Sequence, residues 1–203
     1  NKKITALYVG NDNILWAGTK KSGLIRFDSK TGQFEQFKHQ PNDSKSISAN
    51  SITTIKPATN NQLWIGTWNG GLNLFDPQQK NFQHFAHHSN PIEKNKIHLR
   101  NNNKVTSVYQ ESEALVWVST FGGGLNLLDL KTKTITTIKH QQEKSESLIS
   151  NNIWAIHRDI RGELWLGTHS GLSRLAFRDD KNKIYKFKNY TRREGLASNS
   201  IVS

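Results

Sequence analysis

The sequence predicts an all-β chain of β-propeller blades, each a four-stranded antiparallel meander, and three observations carry that expectation. A Trp-centred string ending in Thr occurs four times, as Leu15–Thr19, Leu63–Thr67, Val116–Thr120 and Leu164–Thr168. Its tryptophans, Trp16, Trp64, Trp117 and Trp165, are spaced by 48, 53 and 48 residues, which marks an array of one supersecondary unit. Between the strings, apolar residues fall in short runs or strict alternation, and nothing repeats at three and four residues as a helix requires.

Four strands can be assigned to each unit. The first is apolar, at Ile4–Val9, Ile52–Ile55, Val105–Tyr109 and Ile153–Ile156, with Thr or small residues between the large ones, as a crowded inner position demands. A polar turn follows, such as Gly10–Asn13 or Asp159–Gly162. The second strand is the Trp string, β-branched and aromatic on both faces and therefore expected to be buried on both. A glycine-bearing link (Ser22-Gly23, Gly70-Gly71, Gly123-Gly124, Ser170-Gly171) leads into the third strand. That strand closes on Phe27-Asp28, Phe75-Asp76 or Leu128-Asp129, where Asp opens a turn. The fourth strand alternates at Phe34–Phe37, Phe82–Phe85, Ile135–Ile138 and Tyr185–Phe187, so one face is wet and the strand is outermost. Blades are expected at residues 4–51, 52–104, 105–152 and 153–200, with 201–203 opening a fifth.

The composition limits the chemistry. With no Cys, the 203 residues offer no disulfide, thiolate nucleophile or iron–sulfur ligand. No run approaches the roughly 18 apolar residues of a membrane-spanning helix. The lack of Met and the start at Asn1 suggest a piece of a longer precursor. The net charge of +12 invites a polyanion. The lysines are spread over all four repeats (Lys20, Lys38, Lys80, Lys104, Lys133, Lys183), however, which favours solvation of exposed strands, and no nucleic-acid partner is expected.

Together the four copies, roughly I-T-x-I, then L-W-I-G-T-x-x-G-G-L-N-x-F-D, then F-x-x-F, resemble the two-component-regulator propeller repeat. The junctions Asn50-Ser51-Ile52, Asn151-Asn152-Ile153 and Asn199-Ser200-Ile201 strengthen the likeness, which covers essentially the whole chain. Departures are Ser119 for Gly and Leu128 for Phe in the third blade. The fourth has Ser173-Arg174 for Leu-Asn and a longer third turn, Phe177–Lys183. The resemblance implies part of a larger ring, commonly seven-bladed, in the periplasmic sensor region of a bacterial inner-membrane signalling protein. Any membrane contact would run through segments outside these residues. Self-association, as a homodimer, is expected because four blades cannot close such a ring.

In a radial meander, second-to-third links and inter-blade connections share one face. That face collects the long segments His39–Asn50, Ala86–Asn103, His140–Asn151 and Arg192–Ser198, so binding is expected there and at the mouth of the central channel. The residues just after each string (Lys20-Lys21, Trp68-Asn69, Phe121, His169) differ between blades while the string is fixed, which suggests a ligand surface. Trp68 and Phe121 stand out because aromatic faces stack on sugars. Arg100, Trp154 and Arg158, near the inner ends of their blades, complete the candidate set. The four repeated tryptophans are read as core.

Neither catalytic residues nor a cofactor is expected: no nucleophile–base set stands out and no phosphate-binding loop motif is present. His84, His87 and His88 lack carboxylate partners at metal-ligand spacing, so no metal site is assigned. The resemblance implies a sensor that binds an oligosaccharide and signals by dimer rearrangement, and the positive charge leaves room for an acidic glycan. A protein-interaction scaffold and, further off, a propeller lyase or glycan-cleaving enzyme stay open.

Overall fold

The computed structural model describes residues 3–10, 13–85 and 103–202. It contains four four-stranded antiparallel sheets, each a meander in sequence order. The inner strands are β1 (Ile4–Val9), β5 (Ile52–Pro57), β9 (Val105–Gln110) and β13 (Ile153–Arg158). The Trp strings form β2 (Ile14–Thr19), β6 (Leu63–Thr67), β10 (Leu115–Thr120) and β14 (Leu164–Thr168). Next outward come β3 (Leu24–Asp28), β7 (Leu72–Asp76), β11 (Gly124–Asp129) and β15 (Leu172–Asp179). The rim strands are β4 (Phe34–Phe37), β8 (Asn81–Phe85), β12 (Thr134–Ile138) and β16 (Ile184–Tyr190).

Apolar cores lie between successive blades. Trp16 and Leu24 of the first blade pack with Ile52, Ile55 and Phe75 of the second. Trp64 and Phe85 meet Val105 and Val108 of the third. Trp117 and Leu125 meet Ile153, Ile156 and Phe187 of the fourth. The tryptophan of each string thus faces the following blade, and Trp117 is fully buried. Trp165, on the far face of the fourth blade, is only half-buried. Conversely, Leu7 of β1 is 63% exposed, whereas its register equivalents Ile55 and Val108 are buried.

The string's Gly and Thr have separate reasons. A Cβ on Gly66 would come within 2.6 Å of Thr54 and 2.7 Å of Val105, so glycine lets the next inner strand pack close. Ser119 stands at this position in the third blade, and its hydroxyl is absorbed by Thr106 and the Ser107 carbonyl. The Thr hydroxyls donate to the link carbonyls of Gly23, Gly71, Gly124 and Gly171, fixing where each link leaves its strand. Turn-opening aspartates behave as their side chains favour: Asp28 accepts from Lys30 and Thr31, and Asp129 from Lys131 and Thr132. Those amides hold the Asp129 carboxyl below the usual carboxylate range.

One expectation needs correcting. The extra residues of the fourth blade do not make a long turn over Phe177–Lys183. Instead β15 continues to Asp179, pairing with β16 past a bulge between Leu175 and Phe177. The longer hairpin carries Arg178 back over the third blade. Its guanidinium lies 5.0 Å from the Trp117 ring centre and pairs with Glu111 and Asp180. The Tyr185 hydroxyl donates to Asp180 at 2.9 Å. The Arg178 hydrogen bond holds the Asp180 carboxyl below its usual range, whereas burial and the Asp180 carboxylate push the Tyr185 phenol up to about 12. A raised folded-state value means that stability is present below the unfolded tyrosine range and is lost as pH rises from about 10 through about 12. Ultraviolet titration should therefore show one phenol ionising only near pH 12. Tyr185→Phe should remove that step, and its survival in the variant would contradict the assignment.

Candidate functional site

Each inner strand begins with a β-bulge. The register skips Thr5, Thr53, Thr106 and Trp154, so these four side chains are re-aimed relative to their strands. The three threonines point at the neighbouring blade and donate to the first carbonyl of its inner strand. Thr5 bonds Ile52 at 2.7 Å, Thr53 bonds Val105 at 2.6 Å and Thr106 bonds Ile153 at 2.6 Å. The ladder ties the blades together around the channel. Trp154 breaks it: an indole stands where the pattern requires a hydroxyl, and its buried Nε1–H has no acceptor among the described residues. Leaving such a donor unpaired costs about 1–3 kcal/mol.

The backbone also fixes the residues that follow the strings. Their N–H groups donate to the carbonyl just before the inner strand of the same blade: Lys20 to Lys3, Trp68 to Ser51, Phe121 to Lys104 and His169 to Asn152, at 2.9–3.0 Å. Each second strand is thereby extended by one residue at the channel mouth. Trp68, Phe121 and Trp154 converge there. The Trp68 and Trp154 rings are nearly parallel, 12° apart with centres 6.3 Å apart. Phe121 lies 5.2 Å from Trp154 and 5.6 Å from Trp68. The Lys104 ammonium sits 5.6 Å from the Trp68 ring centre and 5.9 Å from that of Phe121.

Beside this cluster opens a cavity of about 550 Å³, within the size range of small-molecule sites. All four blades contribute to it, through Lys3 and Lys20, Thr53 and Trp68, Thr106, and Trp154. Of the residues expected from sequence, Trp68, Trp154 and Lys20 line it and Phe121 backs the rings. Lys21, Asn69 and His169 are exposed on the same face and do not line it. Arg158 is corrected. It pairs with Leu164 at the far end of β13, on the opposite face, where it bonds Tyr109 and approaches Glu111. Contact with the Tyr109 hydroxyl raises its already high pKa. Arg100, with most of the segment Ala86–Asn103, lies outside the described residues.

Lys3, Thr5, Thr53 and Thr106 were missed as site residues, although an aligned Thr column giving way to Trp154 was the available signal. A larger hollow of about 740 Å³ lies at the rim between β12 and β16, lined by Lys139, Lys183 and Lys186 together with Glu143 and Glu146. It holds none of the expected residues. Among the described residues no three His, Asp or Glu side chains form a metal cage, and His84 is bonded to the Ser46 carbonyl at 2.7 Å.

Residues 46–69 and 147–170 match the sequence model of the family described as Two component regulator propeller. The chain is 34% identical over 83 residues to Histidine kinase P4 of Formosa agariphila, a match spanning 39% of this chain and 6% of that protein. In fold it is similar to the extracellular domain of the putative hybrid two component system BT3049 from B. thetaiotaomicron. The TM-score is 0.74 at 20% identity, over 90% of this chain and 23% of that one. The corresponding domain of BT4673 from the same organism gives 0.66 at 19% identity, over 91% of this chain and 24% of that one. PorZ of Porphyromonas gingivalis, a surface component of the type-IX secretion system, gives 0.64 at 15%, over 98% of this chain and 29% of that one. These likenesses establish the propeller fold, and the chain spans under a third of each solved relative.

Proposed function

We propose that this array of two-component-regulator propeller repeats is a ligand-binding part of an extracytoplasmic sensor, and that it takes an oligosaccharide at the channel mouth without catalysing a reaction. The observation that carries the reading is Trp154. An indole replaces the ladder threonine at a cost in hydrogen bonding, and it lies nearly parallel to Trp68 on the face where the long connections gather. A purely structural position would keep the Thr. Sugars present flat C–H faces and a fringe of hydroxyls. Aromatic platforms flanked by lysines and serine or threonine hydroxyls match both. The similarity to extracellular domains of hybrid two-component systems supports the setting.

Signalling follows if the ligand binds one arrangement of neighbouring propellers or subunits more tightly than another, because equal affinity would shift nothing. An inner-membrane protein with its sensor in the periplasm and a homodimeric arrangement fits this scheme. Calorimetric titration of the folded chain with a panel of neutral and acidic oligosaccharides tests the reading. Saturable heat with one glycan class, lost in Trp68→Ala, is expected. Absence of heat across the panel would turn the assignment to a protein-docking scaffold.

A further inference from the structure

We infer that the saccharide taken at the channel mouth is anionic, its carboxylate or sulfate-ester groups held by Lys3 and Lys20 while the sugar rings lie on Trp68 and Trp154. This rests on the sugar reading above and adds the charge of the ligand.

Several basic side chains elsewhere on the molecule meet acids: Lys80 with Glu35 at 2.6 Å, Arg178 with Glu111, Lys186 with Glu146 at 2.8 Å and Arg174 with Glu163. In the rim hollow Lys186 pairs with Glu146, and Glu143 belongs to the same lining. The mouth differs. Among the described residues its lining contains Lys3 and Lys20, hydroxyls, apolar groups and two indoles, and no carboxylate. Neither lysine forms an ion pair among the described residues.

Position strengthens the case. Lys20 is the first-blade counterpart of Trp68, and its N–H bonds the Lys3 carbonyl at 3.0 Å. The two lysines are therefore neighbours across one hairpin, on the blade beside the Trp68 platform. The second and third blades put an aromatic ring at this position (Trp68, Phe121), whereas the first puts a cation. A ligand lying across the mouth would thus meet rings on one side and ammonium groups on the other. Within a chain of net charge +12, such a concave patch also concentrates anions before contact.

Matched ligands separate this claim from the sugar reading. Trigalacturonate is compared with its fully methyl-esterified form, and a sulfated carrageenan tetrasaccharide with its desulfated form, by calorimetry at low and high salt. The acidic member of at least one pair should bind about tenfold or more tightly than its neutral partner, with the margin shrinking at high salt. Lys3→Gln/Lys20→Gln, both exposed positions, should erase most of that margin, so that the acidic and neutral members of the pair bind within about twofold of each other. The pair that responds distinguishes carboxylate from sulfate recognition. Equal binding of neutral and acidic members, or a margin unchanged in the double variant, would overturn the charge assignment and leave the sugar reading standing. No saturable binding of any probe to folded protein would overturn both.

Discussion

Trp117→Ala is expected to lower the unfolding free energy by about 3–5 kcal/mol, the usual cost of emptying a fully buried aromatic site. In a chain of this size that moves the melting temperature down by roughly 10 °C. The magnitude follows from the position of the side chain. Trp117 lies in the core shared by the third and fourth blades, in contact with the group that includes Leu125, Ile153 and Phe187, and Arg178 covers its ring. Its removal leaves a void that two rigid sheets cannot collapse to fill, and it also strips the cation–π partner from Arg178. Trp165→Ala is the matched control. It removes the same residue from the same string, but Trp165 is half-buried and its Nε1–H is shared with Asp159 at 3.0 Å. The account predicts less than half the loss there. Chemical denaturation of both variants checks it, and equal losses would show that burial between blades does not set the cost.

Trp154→Thr is expected to separate stability from binding. The substitution restores the ladder residue, and its hydroxyl can reach for the Ile201 carbonyl, which follows the fourth blade as Ile153 follows the third. The buried unpaired Nε1–H disappears with the ring. Stability should hold or rise by about 1 kcal/mol, because a gained hydrogen bond and a removed unpaired donor offset the lost apolar contact. Ligand affinity should fall about 30-fold or more, the loss of about 2 kcal/mol typical of a central aromatic contact. Improved or unchanged melting together with lost binding is the pattern of a residue kept for function. A large drop in melting temperature with binding retained would make Trp154 a core residue after all.

Much of this architecture was legible because a propeller repeats its physics. The Trp string and the Thr that closes the link recur in each copy, and the glycine against the next blade in three of the four, so alignment of four units did the work of separate evidence. Trp68 and Phe121 were visible for the converse reason: they vary at a fixed place beside an invariant string. What escaped depended on geometry that periodicity does not encode. The bulge that re-aims Thr5, Thr53, Thr106 and Trp154 leaves the apolar pattern intact, so Trp154 entered the candidate set for its place near the inner end of its blade and not for the broken ladder. Arg158 was placed with it because both lie on β13, yet the strand carries them to opposite faces. The extended hairpin of the fourth blade looked like a loop because Asp179, Asp180 and Asn182 are turn formers, and only pairing of β15 with β16 shows where the turn falls. Lys3 was unreadable as a site residue because its place beside Lys20 comes from strand pairing across sixteen intervening residues.

The claim that the channel mouth, and not the larger rim hollow, holds the ligand is tested most directly by a crystal structure of the chain soaked with whichever oligosaccharide gives saturable heat. The account predicts a sugar ring stacked on Trp68 or Trp154, with its charged substituent toward Lys3 and Lys20. A saccharide seated between β12 and β16 against Lys139 and Lys186, with the mouth empty, would contradict it.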